Sequence, residues 1–396
     1  MPVPFLPPEL ISEIISHLRD EDDVDEQVRD GKAVALVCKA WRRLGQALRW
    51  RFLYIKPARI PSVYRHFAQY PHLAKSVRRL VYAQLKEEQS SEESCGRMAE
   101  IVTNLVNLEA FEILGQLGQH LSSVVQAAST LLKLRVFAIS SNEENDTTDD
   151  VIRSFSTGFN NLRHLHFRLV RLNASNREDD RHPDVRNLRL VHLTIAWSCD
   201  LTEMRRVGKS FLRILDPTAL ETVGIGCCAV SLYALEWLLE CPRLVRLRIE
   251  LVDVQVPSAV PEVLSILPRL PSLQYFRLAA LPDRADESGG GVRMPVALVA
   301  VLASFPPSLR RFVTQNLDFF DYHTIPARPA PRMRHHALCG SRPHDNEEGK
   351  VVPLSIWGEK VEGGGGRIEW YRATDEEVDT TCEYHTSFSI SVDLDR

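Results

Sequence analysis

One short apolar pattern recurs nine times along this chain and constrains its fold more than anything else in the sequence. An apolar residue is followed by a second three positions on and a third two beyond that. The instances are Val77-Leu80-Tyr82, Leu108-Phe111-Ile113, Leu134-Phe137-Ile139, Leu162-Leu165-Phe167 and Leu188-Val191-Leu193. They continue as Leu220-Val223-Ile225, Leu244-Leu247-Ile249, Leu273-Phe276-Leu278 and Leu309-Phe312, where Thr314 breaks the last position. The first anchors lie 24 to 36 residues apart, with a mean of 29. The last two positions of each instance alternate as in a strand, which puts both side chains on one face. Helical stretches precede most instances, at 96–105, 120–129, 203–215, 231–240 and 295–304. One strand and one helix cannot bury their own apolar faces, so such units stack and the core runs from neighbour to neighbour.

A strand plus a helix per unit at this period resembles the leucine-rich repeat. The resemblance implies an α/β solenoid, a horseshoe with a parallel sheet on its concave face and helices outside. The asparagine or cysteine that usually stands eight positions after the first leucine is present only as Asn142 and Cys228. The repeats are therefore irregular. The expected organisation is a helical module over 1–57, about nine repeat units over 58–320, and a C-terminal cap over 321–396. In the cap, VPLSIW and RIEWYRA flank a glycine run, Gly363 to Gly366, and suit a hairpin. Phe388, Ile390, Val392 and Leu394 alternate as a final strand.

The N-terminal segment reads differently. In LPPELISEIISHL, residues 6–18, Leu10, Ile14 and Leu18 recur every four residues, with Ile11 and Ile15 beside them. That is one wide apolar stripe on a short helix. Proline suits its first turn, where the missing N–H would be unpaired. An acidic stretch over 20–30 follows. The stripe then resumes at Val34, Val37, Trp41, Leu44 and Leu48, widened by Leu36, Ala40 and Ala47. Each large apolar side chain left in water costs about 1.5–3 kcal/mol. Such a module must dock on the rest of the chain, on a partner, or on both.

Leu6-Pro7, Glu9, Leu10, Ile14 and Leu18, followed by Leu36-Val37-Cys38-Lys39-Ala40-Trp41, resemble the F-box, over about residues 4–55. The acidic linker is several residues longer than the usual connection. The resemblance implies binding to the Skp-type adaptor of a cullin–RING ubiquitin ligase. Leu6, Pro7, Leu10, Ile14, Leu18, Val37 and Trp41 would then contact the adaptor or support the contact.

With the first, fourth and sixth positions of each unit facing the core, the third, fifth and seventh line the open side of the sheet. Those 27 positions hold six arginines, three histidines, no lysine and only two acidic residues. The chain as a whole carries a formal charge of -4, so this face is selectively positive. Arginine forks grip carboxylates and phosphates in bidentate fashion. Arg168, Arg246, Arg248, Tyr275, Arg277 and Arg311 are thus the expected contacts for an acidic or phosphorylated protein substrate. Leu190 also falls on the open side in this register.

Other chemistries find no support. The near-balance of 48 basic and 52 acidic residues argues against a nucleic-acid binder. No apolar run reaches the roughly 20 residues of a membrane span. The eight cysteines form no C-x-x-C pair, which points to reduced thiols in cytoplasm or nucleus. His335, His336 and His344 near Cys339 match no zinc spacing. No nucleophile elbow or phosphate loop is present, so no cofactor and no catalytic residue are expected. The expected function is non-enzymatic: a substrate-recognition subunit of an SCF-type ubiquitin ligase. The alternative is a leucine-rich-repeat scaffold that joins proteins without ubiquitination.

Overall fold

In the computed structural model the repeated apolar triplets become consecutive strands of one sheet. The structure describes residues 32–37, 39–84, 92–115, 121–147, 154–155, 158–172, 188–196, 212–226, 232–252, 256–281, 292–293, 298–303, 305–315, 317–318, 354–360 and 368–372. The strands are β1 Phe52–Ile55, β2 Arg79–Ala83, β3 Ala110–Leu114, β4 Val136–Thr147 and β5 His164–Leu172. There follow β6 His192–Ala196, β7 Thr222–Gly226, β8 Arg246–Val252 and β9 Tyr275–Leu281. A two-residue strand β10, Val292–Arg293, pairs apart with β12, Leu317–Asp318. β11, Arg311–Gln315, lies beside β9 in the main sheet.

Ten strands, β1 to β9 and then β11, pair in parallel and in chain order. Sequential parallel order requires every crossover to return on the same side, which is the mark of an α/β solenoid-like arrangement. Helices occupy six of those crossovers among the described residues, and one more precedes β1. α1 is Lys39–Arg49, α2 Ile60–Gln69, α3 Pro71–Ala74, α4 Glu92–Asn104 and α5 Leu121–Ser129. α6 is Leu232–Leu238, α7 Val256–Ile266 and α8 Leu298–Ala303. The helix expected over 203–215 is described only at 212–214.

One core runs the length of the sheet, as stacked units demand. In register, Leu53, Leu80, Phe111, Phe137, Leu165, Leu193, Val223, Leu247, Phe276 and Phe312 form a continuous buried row. A second row, from Ile55 through Tyr82 to Leu278, runs beside it and ends on a buried Thr314. The backbone repeats as faithfully. The carbonyl just before each strand accepts two N–H groups from the next unit, as when Arg78 and Arg79 both donate to Arg51. A carbonyl oxygen has two lone pairs, so nothing is strained by the double use.

The structure moves two expected positions. The sheet begins at Phe52, inside the segment assigned to the helical module, because Trp50, Leu53 and Ile55 repeat the same triplet. The fifth unit is offset by two residues: His164 pairs with His192, so its triplet is Leu190, Leu193 and Ile195. Leu190 is therefore a core residue and not an open-face one. Beyond β11 the two segments around the glycine run do form a hairpin, β13 Leu354–Lys360 with β14 Ile368–Arg372. β13 adds antiparallel to β11 and closes that end of the parallel sheet. The expected strand over 388–394 lies outside the described residues.

Gly115, directly after β3, has φ 103°, in the left-handed region that favours glycine. A Cβ there would stand 2.3 Å from the carbonyl oxygen of Gln84. Gly115→Ala is expected to destabilise the protein by about 1–3 kcal/mol, read as a lower denaturant midpoint with an unchanged slope.

Candidate functional site: the open face of the sheet

Three rows of side chains line the face away from the core. One runs Arg79, Ala110, Val136, His164, His192, Thr222, Arg246, Tyr275 and Arg311. The next runs Val81, Glu112, Ala138, His166, Thr194, Gly224, Arg248, Arg277 and Val313. The third begins Ala83, Leu114, Ser140 and Arg168 and passes through Ala196 and Glu250. The two-residue offset exchanges Leu190 for Ala196 and leaves the count of arginines, histidines and acids on this face unchanged.

Five of the six expected substrate contacts converge on the adjacent strands β8, β9 and β11. Arg246, Tyr275 and Arg311 lie side by side in one row, and Arg248 pairs with Arg277 in the next. Arg168 stands apart on β5, three strands from β8, or about 14 Å at the usual strand spacing. Its side chain is outside the described residues. Exposure divides the rest. Arg246 is exposed, while Arg248, Tyr275 and Arg311 are half-buried. Arg277 is only 2% exposed, which strand alternation did not predict and which removes it from the accessible set.

The acids of this face are both occupied by arginine. Arg248 pairs with Glu250 on its own strand. Arg79 lies 3.8 Å from Glu112. Glu112 is 6% exposed, and its burial pushes the carboxyl up to about 7 despite the opposing pull of Arg79. His164 and His192 stack with ring centroids 4.4 Å apart, a contact hidden by the two-residue offset. Burial lowers His164 to about 4, with further lowering by His192 and Arg163. Burial lowers His192 as well, against the pull of Glu221. At neutral pH this stack is thus an uncharged pair, and the cationic character of the face rests on its arginines.

The described helical residues ahead of β1 present a second surface. Val34 and Leu48 form a small buried cluster with Trp41 packed against it, separate from the main core. Trp41 therefore supports the module from within. Leu36 and Val37 point elsewhere and are 84% and 57% exposed. Leu6, Pro7, Leu10, Ile14 and Leu18 lie outside the described residues, as do His335, His336, Cys339 and His344.

Burial raises the Cys241 thiol to about 12, which leaves it a protonated core residue. No group of three metal-binding side chains occurs among the described residues. No described helix is long and apolar enough to cross a membrane.

Neither a protein-family profile nor a characterised protein matches the chain. Among solved structures, the chain is similar to a Bacteroides fragilis protein solved by a structural-genomics consortium. That match has a TM-score of 0.31 and 12% identity, covering 63% of this chain and 67% of the other.

Proposed function

We propose that the chain is an F-box protein with degenerate leucine-rich repeats, the substrate-recognition subunit of an SCF-type ubiquitin ligase. The observation that carries the reading is the exposure of Leu36 and Val37 at the segment L-V-C-K-x-W. Two large apolar side chains stand in water beside the Val34–Trp41–Leu48 cluster, directly ahead of a parallel-sheet solenoid. Covering them would recover about 1.5–3 kcal/mol for each. A Skp-type adaptor would take this surface together with the helix expected at 6–18. A horseshoe of repeats would then hold a protein substrate on its concave face, around Arg246, Tyr275 and Arg311. The mechanism is proximity: holding the substrate near a charged conjugating enzyme raises the effective concentration of its lysines. The chain itself would catalyse nothing.

Co-purification with a Skp-type adaptor tests the reading. Wild type is expected to retain the adaptor, and Leu36→Asp/Val37→Asp to lose it at least tenfold. Trp41→Ala is the poorer probe, because Trp41 packs on the module's own core. Failure of wild type to bind any adaptor would favour the scaffold reading instead.

A further inference from the structure

A second cationic cluster lies at the edge of the sheet where the strands begin, away from the open-face patch on β8 to β11. The residues immediately before β1 to β5 are Arg51, Arg78, Glu109, Arg135 and Arg163. They fall in a single column because each of their carbonyls accepts both N–H groups of the next unit. At the usual strand spacing this column spans about 19 Å. Lys75 and Lys133, from the turns ahead of β2 and β4, complete it. Together they line an open groove of about 750 Å³.

Among the described residues, six cationic side chains and one carboxylate line it. Glu109 takes Arg78 at 3.5 Å. Lys133 Nζ donates to Asn107 Oδ1 at 2.8 Å, which orients the ammonium without neutralising it. Lys75 and Arg163 are exposed and form no ion pair among the described residues. Arginine forks and lysine ammonium groups are the side chains that grip phosphate.

The rest of the lining says what carries the phosphate. Among the described residues no aromatic ring lines the groove, so they offer no stacking platform of the kind nucleic-acid bases need. Ala47 and Leu48 of α1 and the 73% exposed Leu132 form an apolar wall beside the cations. We infer that this edge groove binds a phosphorylated segment of a partner protein. The phosphate sits against Lys75, Lys133 and Arg163, and a neighbouring apolar side chain rests on Leu132. The inference does not rest on adaptor binding and stands if that fails.

The test uses the full chain and a degenerate phosphoserine peptide library, with the same library unphosphorylated as reference. Wild type is expected to recover the phosphorylated pool, enriched for an apolar residue near the phosphoserine. The best recovered peptide is then titrated by fluorescence anisotropy. Lys75→Glu/Arg163→Glu is expected to weaken it at least tenfold and Lys133→Ala about threefold. Arg269→Glu, at an exposed basic residue that does not line the groove, is expected to bind as wild type. If the double reversal fails to fold, Lys133→Ala/Arg163→Ala replaces it, with a tenfold loss expected. Equal recovery of both pools, or binding that survives the groove substitutions, would overturn the inference. So would tighter binding of a single-stranded oligonucleotide of equal charge.

Discussion

Phe137→Ala is expected to remove about 3–5 kcal/mol of stability, a large fraction of the total for any one domain. Phe137 is fully buried in the central row of the core. Its ring lies 5.5 Å from Phe111, 5.8 Å from Phe155 and 5.5 Å from Phe159. Phe155 continues the cluster to Phe167 at 5.3 Å, edge to face. Truncation therefore opens a cavity bordered by three successive units, and a close-packed core relaxes only partly into such a void. In a stacked array the damage should also be local, because each unit contacts chiefly its neighbours. Hydrogen exchange should accelerate across β3 to β5 and stay slow in β8 and β9, while the denaturant midpoint falls. Leu132→Ala, at a 73% exposed site, serves as the comparison and should shift stability by no more than about 0.5 kcal/mol. A loss below about 1 kcal/mol for Phe137→Ala would mean that these rings do not interlock the units.

The sheet was legible in the sequence because two core positions per strand repeat with the same internal spacing. Eight of the nine triplets fall at strands in the expected register, and alternation alone places their side chains on one face. The fifth unit slipped for a physical reason. Leu188, Leu190, Val191, Leu193 and Ile195 satisfy the triplet in two registers, and only strand pairing chooses between them. In the structure Leu188 instead bridges to Leu215, ahead of the strand. β1 was hidden because its triplet, Trp50, Leu53 and Ile55, follows a helix with almost no turn and reads as that helix's continuation.

The candidate sites were less legible. Alternation assigns Arg277 to the open face, and it is there, but alternation does not set its 2% exposure. Substituting Arg277 by Glu would therefore disturb folding before it tested substrate capture. Arg246 and Arg311, in the more exposed row, are the better positions for charge reversal. The edge column of Arg51, Arg78, Arg135 and Arg163 went unread because it occupies the second position of each unit, directly after the anchor. That position belongs to neither face, and only the doubly used carbonyls bring it into line across five strands.

Glu112 and His164 are expected to give the folded protein opposite pH dependences that oppose each other in the wild type and appear singly in variants. Burial raises Glu112 from about 4.5 to about 7. Its folded state therefore binds the proton more tightly than the unfolded chain, and stability falls as pH rises from about 4.5 to about 7. Burial lowers His164 from 6.5 to about 4. Here the unfolded chain takes the proton first, and stability falls as pH drops from about 6.5 to about 4. Across roughly pH 4.5–6.5 the two slopes are equal and opposite, at about 1.4 kcal/mol for each pH unit. Relative to wild type, Glu112→Gln should gain up to about 3 kcal/mol at pH 8 and nothing at pH 4.5. His164→Phe keeps an aromatic ring over His192 and should gain about 2 kcal/mol at pH 5 but show no pH-dependent gain at pH 8. The two groups stand two strands apart and in different rows, so the double variant should show the sum of both profiles. Denaturant melts at intervals between pH 5 and pH 8 measure all four proteins. Parallel profiles for wild type and both single variants would show that these side chains titrate alike in the folded and unfolded chain, and that the open face is more hydrated than its packing implies.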